Sequence, residues 1–174
     1  MTVIDQAAEL TPAIAEKVGC HYFPPQEYEI GREQIREFAR SVHDEHPAHR
    51  FEAAAAELGY DTLIAPVTFV SVIGTRLLPE LFEHLLIGYA VSDVLHTDQQ
   101  ILLRRPLQVG DRLSSDLCLE SFRRSSGTDV MVTSNTVTDP AGIDVIITRT
   151  TFVARTGGHT EPAIAAALHN LMRS

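Results

Sequence analysis

A chain of 174 residues, 44% of them hydrophobic, is long enough to bury one core without staples, and single-domain size is the default. Its formal net charge of -9 leaves no Lys/Arg excess to hold phosphates, which argues against a nucleic-acid or anionic-membrane surface. Cys20 and Cys118 fit no metal or redox spacing and read as ordinary thiols of a reducing, cytoplasmic compartment; no basic-then-apolar leader and no apolar run of about 20 residues is present, so neither secretion nor a membrane span is expected.

Residues 1–18 predict a weak amphipathic helix or loose arm ended by Gly19, and Pro24 and Pro25 then force "HYFPPQEYEI" into an extended path. In "GREQIREFARSV", Ile35, Phe38, Ala39 and Val42 fall at helical spacing and predict a helix over about 31–42. The His-rich "HDEHPAHR" follows as an irregular loop, and "FEAAAAELG" as a short helix stopped by Gly59. "APVTFVSVIGTRLLPELFEHLL" predicts a longer helix, with Pro66 in the first turn where a missing N–H costs nothing. Its apolar residues Val67, Phe69, Val70, Val72, Ile73 and Leu77 surround it, so burial on most sides is expected, and Pro79 is expected to end or kink it.

From Ala90 the period changes. Four β-branched, partly alternating runs separated by "VGD", "SSG" and "DPAG" predict four antiparallel strands joined largely by hairpins. The organisation read from this is an arm (1–18), one domain (19–155) and a tail (156–174) with a short helix beyond Gly157 and Gly158. An antiparallel sheet that follows one apolar helix implies an α+β layer in which the sheet wraps a central buried helix, the pattern of a hot-dog fold; periodicity alone leaves other α+β folds open.

The chemistry concentrates in the His-rich loop. Asp44 and His49 are five residues apart with Pro47 between them, so they share a loop and not a helical face. A carboxylate and an imidazole aimed at one substrate can divide proton transfer. Two rival readings use the same residues. His43, His46 and His49, with Asp44, are spaced as candidate zinc ligands, although Pro47 interrupts any common face. Alternatively Asp44 caps the "PAHRFEAAAAEL" helix and the histidines lie exposed.

"DEHPAHRFEAA" resembles the D-x-N-P-x-H-x5-A signature of MaoC-like (R)-specific enoyl hydratases and (3R)-hydroxyacyl dehydratases, with Asp44, Pro47, His49 and Ala55 on matching positions. "AAELGYDTLIAPVTF", "RRPLQVGDRL" and "GTDVMVTSNTVTDPAG" extend the resemblance from about Gly19 to Arg155, and more closely to the subunits of the mycobacterial (3R)-hydroxyacyl-ACP dehydratase and their paralogues. The resemblance implies a hot-dog fold, reversible syn hydration of a trans-2-enoyl thioester of CoA or acyl carrier protein, and no cofactor or metal. It assigns the C2 proton to His49 and the water or hydroxyl to Asp44. A backbone N–H of Val67 or Thr68 would receive the enolate charge, since Pro66 has none. Secondary candidates for substrate contact are His46, Tyr60, Ser71 and His96, with Arg104 and Arg105 as possible phosphate contacts.

Two departures stand out. His46 replaces the family's Asn, and the Gly of the helix start gives way to the "APVT" run, where Val67 could crowd the oxyanion position. Some of the subunits resembled lack the Asp/His pair and hold the acyl chain for a catalytic partner, so a non-catalytic acyl-binding subunit is the alternative. A thioesterase built on Ser71 with Glu80 or Glu83 ranks last. The uncovered sheet edge implies a homodimer or a heterodimer with another hot-dog subunit.

Overall fold

The computed structural model describes residues 13–155, and the predicted arm up to residue 12 and the tail helix lie outside the described residues. Among the described residues, helices α1 (Arg32–Ser41), α2 (Glu52–Glu57) and α3 (Val70–His84) precede the long strands β3 (Val94–Leu103), β4 (Arg112–Ser125), β5 (Thr128–Thr138) and β6 (Asp144–Arg155). Two short strands, β1 (His21–Tyr22) and β2 (Tyr28–Glu29), come first in the chain. The sheet runs β1-β4-β5-β6-β3, with β2 also pairing β4, and every ladder is antiparallel.

The β4–β5 hairpin turns through Ser126 and Gly127, both at positive φ (51° and 76°), the pair of conformations that matches the twist of the flanking strands. By contrast, β3 does not form a hairpin with β4. It crosses the sheet to pair with β6 and becomes an edge, on which Leu95, Ile101 and Leu102 are exposed.

The sheet wraps α3, as the hot-dog expectation requires. Along β5 burial alternates without a break, so Met131, Thr133, Asn135 and Val137 all face the helix. The apolar interior falls into two clusters. One gathers Phe69, Ile73, Leu63, Val137 and Ile146 around the start of α3; the other gathers Phe82, Leu85, Leu119, Met131 and Phe152 around its end. Ile14 is fully buried in the second cluster.

Two expectations about α3 are corrected. The helix is not buried on most sides: Val70, Ile73, Leu81 and Phe82 are, but Ser71, Thr75 and Arg76 are exposed and Val67 points to solvent. Nor does Pro79 end it. The helix runs on for five residues beyond, to His84. Pro79 sits on the exposed side, where water can take the carbonyl that loses its N–H partner, and the packing of Ile73, Leu81 and Phe82 holds both flanks in register.

Candidate active site

Helix α1 opens with Gln34 Oε1 accepting the Gly31 N–H at 2.8 Å and closes with a Schellman motif. The His43 N–H donates to Arg40 O and the Asp44 N–H to Ala39 O (2.8 Å), while His43 adopts φ of 56° in the position usually given to glycine. That reversal turns the chain back and sets Asp44 directly after the helix. One Asp44 oxygen, Oδ1, accepts the His46 N–H at 3.1 Å, and the His46 Nδ1 accepts the Ala48 N–H at 3.2 Å. His46 therefore does the local turn work open to an Asn at this place. Pro47–His49 then form one tight 3-10 turn.

The turn delivers His49 into the interior, with only 6% of it exposed. Its Nδ1 lies 2.7 Å from the Ile64 carbonyl oxygen, which accepts only, so Nδ1 carries the proton. Its Nε2 faces Asp44 Oδ2 at 3.2 Å. The Ile64 N–H in turn donates to Ala48 O, and the Ala65 N–H to Leu107 O, fastening the loop to the crossover between β3 and β4. The His46 N–H, acting first, and the His49 imidazole hold the Asp44 carboxyl below its ordinary value of 3.8, against partial desolvation.

The capping alternative is thereby corrected. Helix α2 begins after Phe51 with no side-chain cap, and His49 is buried, not exposed. The three loop histidines do not converge either, and among the described residues no cluster of three His, Cys, Asp or Glu could hold a metal ion. The start of α3 is a 3-10 turn, Val67–Phe69, closed by the Phe69 N–H on Pro66 O. Val67 and Thr68 lie ahead of that bond, where helix N–H groups lack intrahelical acceptors, and the Val67 side chain projects into solvent.

The other candidates separate. Tyr60 follows the left-handed Gly59 and is tied by its own N–H to Ala55 O. Ser71, whose hydroxyl donates to Thr68 O, and His96, whose ring lies against Phe152, line a cavity of about 240 Å³ between α3 and the sheet that neither Asp44 nor His49 lines. Arg105 forks onto both Asp111 oxygens and holds a turn. Glu80 takes the Tyr22 hydroxyl at 2.7 Å and lies beside His84, while the Ser71 hydroxyl is given to Thr68 O, so Ser71 and Glu80 are engaged with other partners. Sequence reasoning passed over Arg36, Arg40 and Arg50, which with Phe51 line a concavity beside the loop. Arg32, Arg36 and Arg40 at four-residue spacing on α1 were the available signal.

A family model described as "FAS1-like, dehydratase domain region" matches residues 16–148. The chain belongs to that family. This dehydratase-domain chain is 39% identical over 143 residues to the UPF0336 protein Rv0635 of Mycobacterium tuberculosis, covering 82% of itself and 90% of that protein. It superposes on a chain of the C-terminally truncated HadBC (3R-hydroxyacyl-ACP dehydratase) complex from Mycobacterium tuberculosis with a TM-score of 0.72 and 36% identity, over 79% of itself and 97% of that chain. A second structure, a MaoC-like dehydratase, gives 0.78 and 38%, over 90% of this chain but 48% of the other. The MaoC-like resemblance and the hot-dog architecture read from the residues are those of these dehydratases. Among the described residues no helix is long and apolar enough to cross a membrane.

Proposed function

We propose that this dehydratase-domain chain catalyses reversible syn hydration of trans-2-enoyl thioesters, which in reverse is dehydration of (3R)-hydroxyacyl thioesters. One observation carries the reading: a buried imidazole, oriented through Nδ1 by the Ile64 carbonyl, presents Nε2 to the Asp44 carboxylate at 3.2 Å.

The depressed Asp44 carboxyl favours an anion able to take a proton, and the His49 Nε2 lies within reach of the same substrate. That pair is ready for hydration. Asp44 takes a proton from water as its oxygen bonds to C3, His49 delivers the Nε2 proton to C2, and the charge built on the thioester oxygen meets the N–H of Val67 or Thr68. The same atoms run backwards for dehydration, with Asp44 returning its proton to the leaving hydroxyl. Both side chains approach from one loop, so hydrogen and hydroxyl enter one face of the double bond, which is the syn outcome. The thioester itself acidifies C2, so the scheme calls for no cofactor.

The substrate handle fits as well. CoA and carrier-protein thioesters both bring phosphate, for which Arg40 and Arg50, lining a concavity with Phe51 beside the loop, are the candidate contacts, since Arg36 there is already paired with Glu33 and the Arg50 carbonyl. The exposed β3 edge suits a second hot-dog subunit, identical or different. A second reading, a non-catalytic acyl-binding subunit, draws support from the same edge and from the two-subunit nature of the HadBC relative. The test is hydration of crotonyl-CoA by the purified chain alone, followed as loss of the conjugated thioester absorbance. Turnover that disappears in Asp44→Asn supports the enzyme, and silence that a hot-dog partner relieves equally in wild type and Asp44→Asn supports the binding subunit.

A further inference from the structure

His46 stands where the MaoC-like signature has Asn, and it is bonded on both sides of Pro47. Its own N–H fixes Asp44 Oδ1 at 3.1 Å, and its Nδ1 accepts the Ala48 N–H at 3.2 Å. The residue thus ties the carboxylate to the turn that carries His49. Pro47 has no N–H, so the Ala48 N–H is the first donor of that turn, and Ala48 is completely buried. The His46 Nδ1 is the acceptor that this amide meets.

An imidazole nitrogen that accepts an N–H is unprotonated, so the turn requires neutral His46 with its proton on Nε2. Asparagine offers an acceptor at the same number of bonds from the backbone, and its amide does not titrate. The two residues therefore differ in their response to pH more than in shape. A proton on Nδ1 sets donor against donor at a buried amide, and the turn must open for water to serve Ala48 instead. Asp44 and His49 are the titratable groups that face the ring. The His49 ring stands 5.4 Å away and Asp44 feels the His46 charge through space, while the loop neighbours His43 and Glu45 are exposed. A cation at His46 also opposes the positive charge that His49 carries when its Nε2 holds a proton.

We propose that neutral His46 is a positioning residue for the Asp44–His49 pair, and that its protonation releases the turn and shuts off hydration in mild acid. The inference rests on the reading of that pair as thioester chemistry. Hydration uses Asp44 as an anion and His49 with its Nε2 protonated. Neither requirement fails as the pH drops from about 8 to about 5, because the Asp44 carboxyl titrates below 3.8 and His49 only gains protons. An acid limb in that interval belongs to another group, and His46 is the imidazole bonded to the turn.

Two readings on the full-length chain test this: hydration of crotonyl-CoA against pH, and amide hydrogen exchange at Ala48, expressed at each pH as protection relative to an unstructured peptide. Between about pH 7.5 and about pH 5.5, wild-type kcat/KM is expected to fall about tenfold, and Ala48 protection to fall with it. In His46→Asn both are expected to change by less than about twofold over the same interval. His46→Ala, which has no acceptor at any pH, is expected to turn over at least about tenfold more slowly than His46→Asn at about pH 7.5, with Ala48 unprotected throughout. A wild-type limb that survives in His46→Asn, or Ala48 protection that does not respond to pH, overturns the proposal. The wild-type exchange alone decides it if the variants do not fold. Protection lost in acid without turnover at any pH keeps the role of His46 in the turn and discards the hydratase; turnover with pH-independent protection does the reverse.

Discussion

Asp44 and Asp129 are both aspartates held beside a basic side chain, and they are held in opposite ways. Asp129 is completely buried in β5, with Arg124 Nε on one oxygen at 2.6 Å and Arg124 Nη2 on the other at 2.7 Å. The Tyr89 hydroxyl donates to the same carboxylate at 2.6 Å, and burial and then Asp129 push that phenol well above its ordinary range. Both oxygens of Asp129 are therefore engaged, and it pins the strand to the segment after α3. Asp44 is partly open to solvent and receives one backbone N–H on Oδ1, while Oδ2 faces the His49 Nε2 at 3.2 Å. A carboxylate whose partners occupy both oxygens can hold a fold; one that stays partly open to solvent beside an imidazole can take and give a proton.

The contrast breaks most visibly in turnover. His49→Gln and Asp44→Asn are expected to lower enoyl-thioester hydration by about 10³-fold or more while thermal melting stays near that of wild type. Rates close to wild type in either variant would make the pair structural. The next largest effect belongs to the other aspartate: Asp129→Ala removes a buried carboxylate that both Arg124 and Tyr89 meet and is expected to cost about 3 kcal/mol, read from the urea midpoint. An unchanged midpoint would erase the difference between the two sites. His43→Gly relieves a left-handed residue, partly offset by a looser unfolded chain, and is expected to raise stability by about 0.5 kcal/mol in the same assay.

The smallest effect is in acid. The folded carboxyl of Asp44 titrates below 3.8, so the unfolded chain binds more protons as the pH approaches that value. Its stabilising contribution is present above about pH 4 and is lost as the pH falls through the lower folded value. Asp44→Asn should thus flatten the acid limb of the melting temperature between about pH 5 and pH 2, and an identical limb in both proteins would deny the depressed value.

The loop and the fold were legible because their signals are local. "DEHPAHRFEAA" holds the candidate pair Asp44 and His49 within a few positions, and the switch to alternation at Ala90 marks the sheet. What could not be read depends on distant chain. Pro79 ends a helix only if its flanks are free to leave, and here both are packed. The pairing of β3 with β6, not with its neighbour in sequence, follows from the sheet closing around α3. Thr133, Asn135, Thr148 and Thr150 look like ordinary strand residues one by one; only the cross-strand register sets them side by side opposite Gly74 and Thr75. The depth of His49 likewise depends on a carbonyl fifteen residues away.

The Schellman closure at His43 has an evolutionary corollary. Because Asp44 is bonded to Ala39 and not to a free-swinging loop, its bearing is tied to the phase of α1. One residue gained or lost inside that helix would rotate the carboxylate by about 100° around the axis, and two would reverse it. Descent with this chemistry intact should therefore tolerate sequence change along α1 freely while leaving its length nearly constant, and indels should accumulate at the hairpin tips instead.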